Sequence, residues 1–156
     1  MSLFKILQIL AVSGLLAGYS AWVRDRSDGP AVDLATPGQS RDCKIRLVTL
    51  AQARTLWRQR STVFLDVRSA TDFAYGHIKG AINLPWEDFQ DGFANLKARL
   101  QKAAAIVVYC KSVDCGKSLW TAIRLREEGL AQAVIYPDGW YQWTDHNLPT
   151  ERTSER

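Results

Sequence analysis

The chain has 156 residues, 47% of them hydrophobic and 23% charged, with a net charge of +4. That length allows one domain plus an appendage, and the hydrophobic share is enough for a packed core. The mild positive excess is spread along the chain with no dense basic cluster, which argues for solubility and against a nucleic-acid partner. Three cysteines are too few and too scattered for a disulfide framework or a four-cysteine zinc site, and the two histidines give no metal-ligand spacing.

Residues Leu3 to Val23 are almost wholly apolar, interrupted by Lys5 and Gln8. From Ile6 to Val23 is about 18 residues, at the short end of what spans a bilayer as a helix. Two readings of residues 1–23 stand side by side. One is a cleavable signal segment, with Lys5 as its basic start and small residues near Gly18-Tyr19-Ser20-Ala21. The other, favoured by the Trp22-Val23-Arg24 flank, is a retained membrane anchor. The short basic start resembles an export signal, so the globular part is expected in the periplasm. A cleaved, soluble periplasmic form and a cytoplasm-facing domain are the alternatives. Residues 24–44, rich in Asp, Ser, Gly and Pro and carrying Cys43, read as a flexible tether. Residues 150–156 read as a polar, frayed tail.

Between them, residues 45–149 alternate strand and helix patterns. Ile45-Arg46-Leu47-Val48 is a short strand candidate, and Thr49 reads as the N-cap of a helix through Trp57. Val63 to Val67 is a buried strand, Ser69 to Tyr75 a short helix stopped at Gly76, and Ala81 to Leu84 a strand closed by Pro85. A helix around Phe93 to Lys102 leads into the apolar strand Ala104 to Tyr109. Lys117 to Glu128 is amphipathic and stops at Gly129; Ala133 to Tyr136 is the last strand. Pro137-Asp138-Gly139 makes a turn before an aromatic patch, Trp140, Tyr141 and Trp143. This order predicts an α/β domain with a mostly parallel, five-stranded sheet and helices on both faces, preceded by one hydrophobic N-terminal helix.

Cys110 ends the strand of residues 104–109, and the loop Lys111-Ser112-Val113-Asp114-Cys115-Gly116 leads into the helix beginning at Lys117. Strand, loop, helix presents a reactive atom at the carboxyl edge of such a sheet. Loop amides and the positive end of the helix dipole both favour a thiolate there.

The stretch Phe64-Leu65-Asp66-Val67-Arg68-Ser69, then Phe73, then Gly76-His77-Ile78-Lys79-Gly80-Ala81-Ile82-Asn83-Leu84-Pro85, closely resembles the opening signature of rhodanese-like domains. Gly139-Trp140, Trp143 and Leu148-Pro149 resemble the closing pattern, and Val107-Val108-Tyr109-Cys110 falls where the family keeps its catalytic cysteine. The resemblance implies a rhodanese-like fold over residues 45–149 and a sulfurtransferase without a cofactor. A sulfane sulfur would pass from an anion such as thiosulfate, or from a persulfide, onto Cys110, and then to a thiophilic acceptor such as cyanide or a protein thiol. Amides of Lys111, Ser112, Val113, Asp114, Cys115, Gly116 and Lys117 would cradle the persulfide, and the side chains of Lys111 and Lys117 would attract the donor.

The loop departs from the family pattern. Five positions after Cys110, where an arginine-type residue is usual, stands Cys115, and the basic residue Lys117 comes two later. The phosphatases built on this fold need cysteine, five residues, then arginine for a bidentate clamp; the chain has no such fork, which argues against that activity. Cys115 has three readings: a resolving or redox thiol, a small packing residue, or the sulfur carrier itself. A thiol–disulfide relay through Cys110 and Cys115, and a non-catalytic binding module at a membrane, are therefore kept beside sulfur transfer. Asp66 and Arg68 are expected to hold the first loops together, with Arg68 reaching Asp72 and Asp66 accepting backbone N–H groups. His77 is expected to hydrogen-bond to backbone, His146 to be solvated, and Trp140 and Trp143 to pack beneath the loop.

Overall fold

A computed structural model describes residues 45–153. The N-terminal segment, the tether and Cys43 lie outside the described residues, and no helix among those described is long and apolar enough to cross a membrane.

Helix α1 (Leu50–Trp57) starts at a full capping box: Thr49 accepts from the Gln52 amide while the Gln52 side chain accepts from the Thr49 amide. There follow β1 (Thr62–Asp66), α2 (Ala70–Tyr75), β2 (His77–Ile78) and β3 (Ile82–Asn83). A 3₁₀ turn at Trp86–Asp88 runs into α3 (Phe89–Gln101), and then come β4 (Ala105–Tyr109), α4 (Lys117–Glu127), β5 (Ala133–Tyr136), α5 (Gly139–Asp145) and β6 (Thr150–Glu151).

Strands β3-β1-β4-β5 form one parallel sheet. The expected fifth strand is reduced to a bridge between Leu47 and Ile135, held by hydrogen bonds from Val48 N to Ile135 O and from Ile135 N to Arg46 O. Leu47 is mostly exposed at this edge, so little apolar burial extends the pairing.

The pleat sorts side chains alternately onto two faces, and both are buried, as a parallel sheet requires. Ile106, Val108 and Cys110 pack on one side with Leu65, with Phe89, Phe93 and Leu100 of α3, and with Ala122 and Leu125 of α4. Ala105, Val107 and Tyr109 pack on the other with Phe64, with Ala53 and Leu56 of α1, and with Trp143 of α5. Cys110 therefore faces the α3–α4 layer, and its neighbour Tyr109 the α1–α5 layer.

Three further sequence expectations are corrected. The aromatic patch after Gly139 is helix α5, which carries Trp143 into the core at full burial. Thr150 and Glu151 are not part of a frayed tail: they pair antiparallel with Ile78 and His77 as a small second sheet. Glu151 also accepts from the Gly80 amide and meets His77 Nε2 at 3.2 Å, so side-chain bonds as well as the ladder hold this segment down. Finally, Arg68 pairs with the fully buried Asp66 and not with Asp72, which is exposed and bonds to its helix N-cap Ser69.

Tyr109 closes the β4 end on the α1–α5 side. Its hydroxyl accepts from the Ile78 amide at 3.2 Å. Burial, and then the charge and hydrogen bond of Asp66, raise the phenol well above its ordinary pKa. Tyr136 is raised too, by burial and by Asp138. A folded-state value above the unfolded one contributes stability that is whole below about pH 10 and is lost as pH rises from there towards the folded-state value. Tyr109→Phe should therefore cost about 1–3 kcal/mol at neutral pH, by leaving a buried amide unpaired. It should also flatten the decline in stability above pH ~10. Urea unfolding at a series of pH values checks both.

Candidate active site

The last residue of β4 pairs with the last of β1 and of β5, so Cys110 emerges just past the carboxyl edge of the sheet. It is 2% exposed. Its sulfur is bonded to that of Cys115, across a loop whose Cα–Cα span is 6.1 Å. The loop is closed by Cys115 N donating to Ser112 O at 3.1 Å, and Ser118 Oγ donates to Cys115 O at 3.3 Å.

Cys115 directly precedes Gly116, the N-cap of α4, which has no side-chain cap. Among the described residues, the amides of Ser112, Val113, Asp114, Gly116 and Lys117 donate to no protein acceptor. The bond between the sulfurs thus ties Cys110 to the residue that directly precedes the uncapped start of an 11-residue helix, where partial positive charge gathers.

The loop is braced from α5. Trp140 N donates to Cys110 O at 2.9 Å and Tyr141 N to Lys111 O at 3.0 Å. This close approach depends on Gly139, whose φ is +58° and where a Cβ would collide with the Cys110 carbonyl oxygen. Gly139→Ala should cost about 2–5 kcal/mol, from left-handed strain plus overpacking, and should slow any reaction at Cys110 by moving its carbonyl. The urea midpoint, with activity measured on the folded fraction, checks it.

Beneath Trp140 lies a buried ionic pair. Arg68 Nη2 reaches Asp66 Oδ2 at 2.6 Å, Arg68 Nε reaches Oδ1 at 3.0 Å, and the Arg68 amide also donates to Oδ1 at 2.9 Å. The remaining reach of the guanidinium goes to Gly76 O at 2.7 Å, and its plane sits 4.7 Å from the Trp140 ring centre. Burial opposes the charge of Arg68, but the hydrogen bonds and charge of Asp66 outweigh it and leave the pKa raised. The pair connects β1, the end of α2 and α5 behind the loop.

Other expected site residues fall apart in space or find partners. His77 Nδ1 meets Phe73 O at 2.8 Å and the ring stacks on Phe73, so its bonds serve the β2–β6 sheet and not the loop. His146 is exposed and bonds to Gln142 O. Trp143 is core, whereas Trp140 is half-buried over Arg68. Lys117 is not a free cation: it pairs with Glu87 of the 3₁₀ turn, whose carboxyl this hydrogen bond holds below the usual range. Lys111 is exposed and makes no ion pair among the described residues. Glu87 carried no sequence signal, since it lies 30 residues from Lys117. Gly139 was visible only as a turn residue.

The sequence model of the rhodanese-like domain matches residues 49–146, nearly all of the described chain, and the chain belongs to that family. It is similar to the uncharacterized protein YibN of Escherichia coli K12, with 32% identity over 120 residues, 76% of this chain and 81% of that protein. It is also similar to the chloroplastic rhodanese-like domain-containing protein 14 of Arabidopsis thaliana, at 26% identity over 72% of this chain and 67% of that one. Among solved structures, the BH2092 protein of Bacillus halodurans shares the fold at a TM-score of 0.62 and 20% identity, over 69% of this chain and 77% of that one. A variant of EanB, solved with ergothioneine covalently linked with a persulfide cysteine, aligns at a TM-score of 0.58 and 25% identity. That match covers 70% of this chain and 28% of EanB.

Proposed function

We propose that the domain is a sulfurtransferase that carries a sulfane sulfur as a persulfide on Cys110. The observation that supports this most is the position of the Cys110 sulfur, at the strand edge and joined to a residue that directly precedes the uncapped N-terminus of α4. Once the disulfide is reduced, a thiolate or persulfide anion there lies beside unpaired amides and the positive end of a helix. With thiosulfate, the Cys110 thiolate attacks the outer sulfur, a sulfur–sulfur bond forms, and sulfite leaves with the electron pair of the bond that breaks. A thiophilic acceptor then takes the outer sulfur and returns the thiolate. The persulfide cysteine of EanB supports the same use of this fold.

The exposed side chains of Val113, Trp120 and Tyr141 lie on or beside the loop and give it an apolar margin. Such a margin suits a protein thiol as natural acceptor better than a small hydrophilic one. The apolar segment of residues 1–23 would hold the domain at a membrane, on its periplasmic side. Protease resistance of the domain in intact spheroplasts would count against that orientation.

The direct test is thiocyanate formation from thiosulfate and cyanide by the chain after reduction and desalting. Absence of thiocyanate, together with absence of sulfite release and of any added sulfur on residue 110 of Cys115→Ser protein by mass spectrometry, would refute the reading. Donor attraction has its own test. Glu87→Gln frees the Lys117 charge near the loop, so the KM for thiosulfate should fall by about two- to fivefold at low ionic strength. Salt near 1 M should erase most of that difference.

A further inference from the structure

We propose that Cys115 resolves the persulfide on Cys110, expelling hydrosulfide and closing the bond between the two cysteines, so that the site releases sulfide at the expense of a dithiol. The inference rests on the sulfurtransferase reading above and adds a second catalytic residue to it.

Three observations carry it. The backbone sets the Cα atoms of Cys110 and Cys115 6.1 Å apart, within the span a disulfide needs, so the product of such a step fits the loop. Cys115 is fixed there by its own amide on Ser112 O and by Ser118 on its carbonyl, which makes it an ordered neighbour of Cys110 rather than a residue at a mobile loop tip. Its place directly before the α4 N-cap gives it the same helix field that favours a thiolate on Cys110. A residue kept only for packing needs none of these three together.

The step balances without an outside oxidant. The Cys115 thiolate attacks the inner sulfur of the Cys110 persulfide. A bond forms between the two Sγ atoms, the bond to the outer sulfur breaks, and hydrosulfide leaves with its electron pair. The sulfane sulfur gains two electrons, and the two cysteine sulfurs together lose two. A dithiol then reopens the site by thiol–disulfide exchange, becoming a disulfide itself and restoring both cysteine thiols. Incoming thiols meet Cys115 first, since it is half-buried while Cys110 is almost fully enclosed. Cys110 is then the leaving thiolate, the form its surroundings favour.

The test uses the full chain, reduced with a dithiol, desalted and kept anaerobic, then given thiosulfate as the only sulfur donor. Sulfite, sulfide and intact protein mass are read together. The expected result is about one sulfite and one sulfide per chain, with the protein ending in the disulfide form. Cys115→Ser should release sulfite but no sulfide and remain about 32 Da heavier, with the added sulfur on Cys110. Wild-type protein that holds the extra sulfur and yields no sulfide would overturn the resolving role while leaving persulfide chemistry intact. Attack on the outer sulfur, which passes the persulfide to Cys115, belongs to that same outcome. Failure of both proteins to release sulfite would bring down both readings.

Discussion

Cys110→Ser is expected to reduce thiocyanate formation from thiosulfate and cyanide to the uncatalysed background. A serine hydroxyl at neutral pH is a far weaker nucleophile than a thiolate, and it cannot hold a sulfane sulfur as a persulfide. The loss should therefore appear as kcat, at least about a thousandfold, and not as KM alone. Residue 110 is nearly enclosed and sits in the apolar layer between the sheet and α4, so the serine hydroxyl should cost about 1–3 kcal/mol of stability relative to the reduced parent protein. Activity is therefore read on the folded fraction, fixed by the urea midpoint. The same geometry makes activity conditional on redox state. In the disulfide form the Cys110 sulfur is bonded to Cys115 and is no nucleophile. Unreduced protein should show no initial rate, and prior treatment with a dithiol should switch it on. An unreduced chain as active as the reduced one would place the nucleophile elsewhere.

The second large effect is expected at the ionic pair behind the loop. Arg68→Ala leaves the Asp66 carboxylate, fully buried, without its fork of hydrogen bonds. Breaking a buried pair from one side typically costs about 3–5 kcal/mol. Against the roughly 5–15 kcal/mol that a domain of this size commands, that is a large share. The same change removes the bond to Gly76 O and the cation beneath Trp140, so α2 and α5 both lose an anchor. Arg68→Lys should recover little, because an ammonium cannot span both Asp66 oxygens and still reach Gly76. Replacing Asp66 and Arg68 together by apolar residues of similar volume should be milder than either single change. Urea denaturation of the four proteins gives the comparison, and a double variant worse than both singles would refute the account. Since Trp140 donates to the Cys110 carbonyl, Arg68→Ala should also depress activity in the fraction that remains folded.

Much of the fold could be read from local patterns. The run from Ala104 to Tyr109 is continuously apolar, and such a run bounded by polar loops is a strand buried on both faces. Cys110 at its end, a polar loop and an amphipathic stretch from Lys117 were enough to place a cysteine between a sheet edge and a helix start. The N-cap at Thr49 and the stop at Gly76 were equally legible, because a cap is made by residues within one turn of each other. Helix α5 was not legible: seven residues hold too few turns for a helical period to separate from an aromatic cluster.

What the pattern could specify was local: where strands and helices fall, and which side chains share a face of the sheet. These follow from backbone geometry and side-chain alternation along a few residues. What required the folded chain were pairings across long separations. Glu151 closes on His77 from 74 residues away, and Glu87 neutralises Lys117 from 30. Short-range periodicity carries no record of such partners, since they meet only when the sheet and its helices close around one core. The union of Cys110 with Cys115 belongs to the same class despite its short span. Two cysteines five apart can meet or miss, and here the curl of the loop, held by Ser112 on one side and by α5 on the other, brings them together.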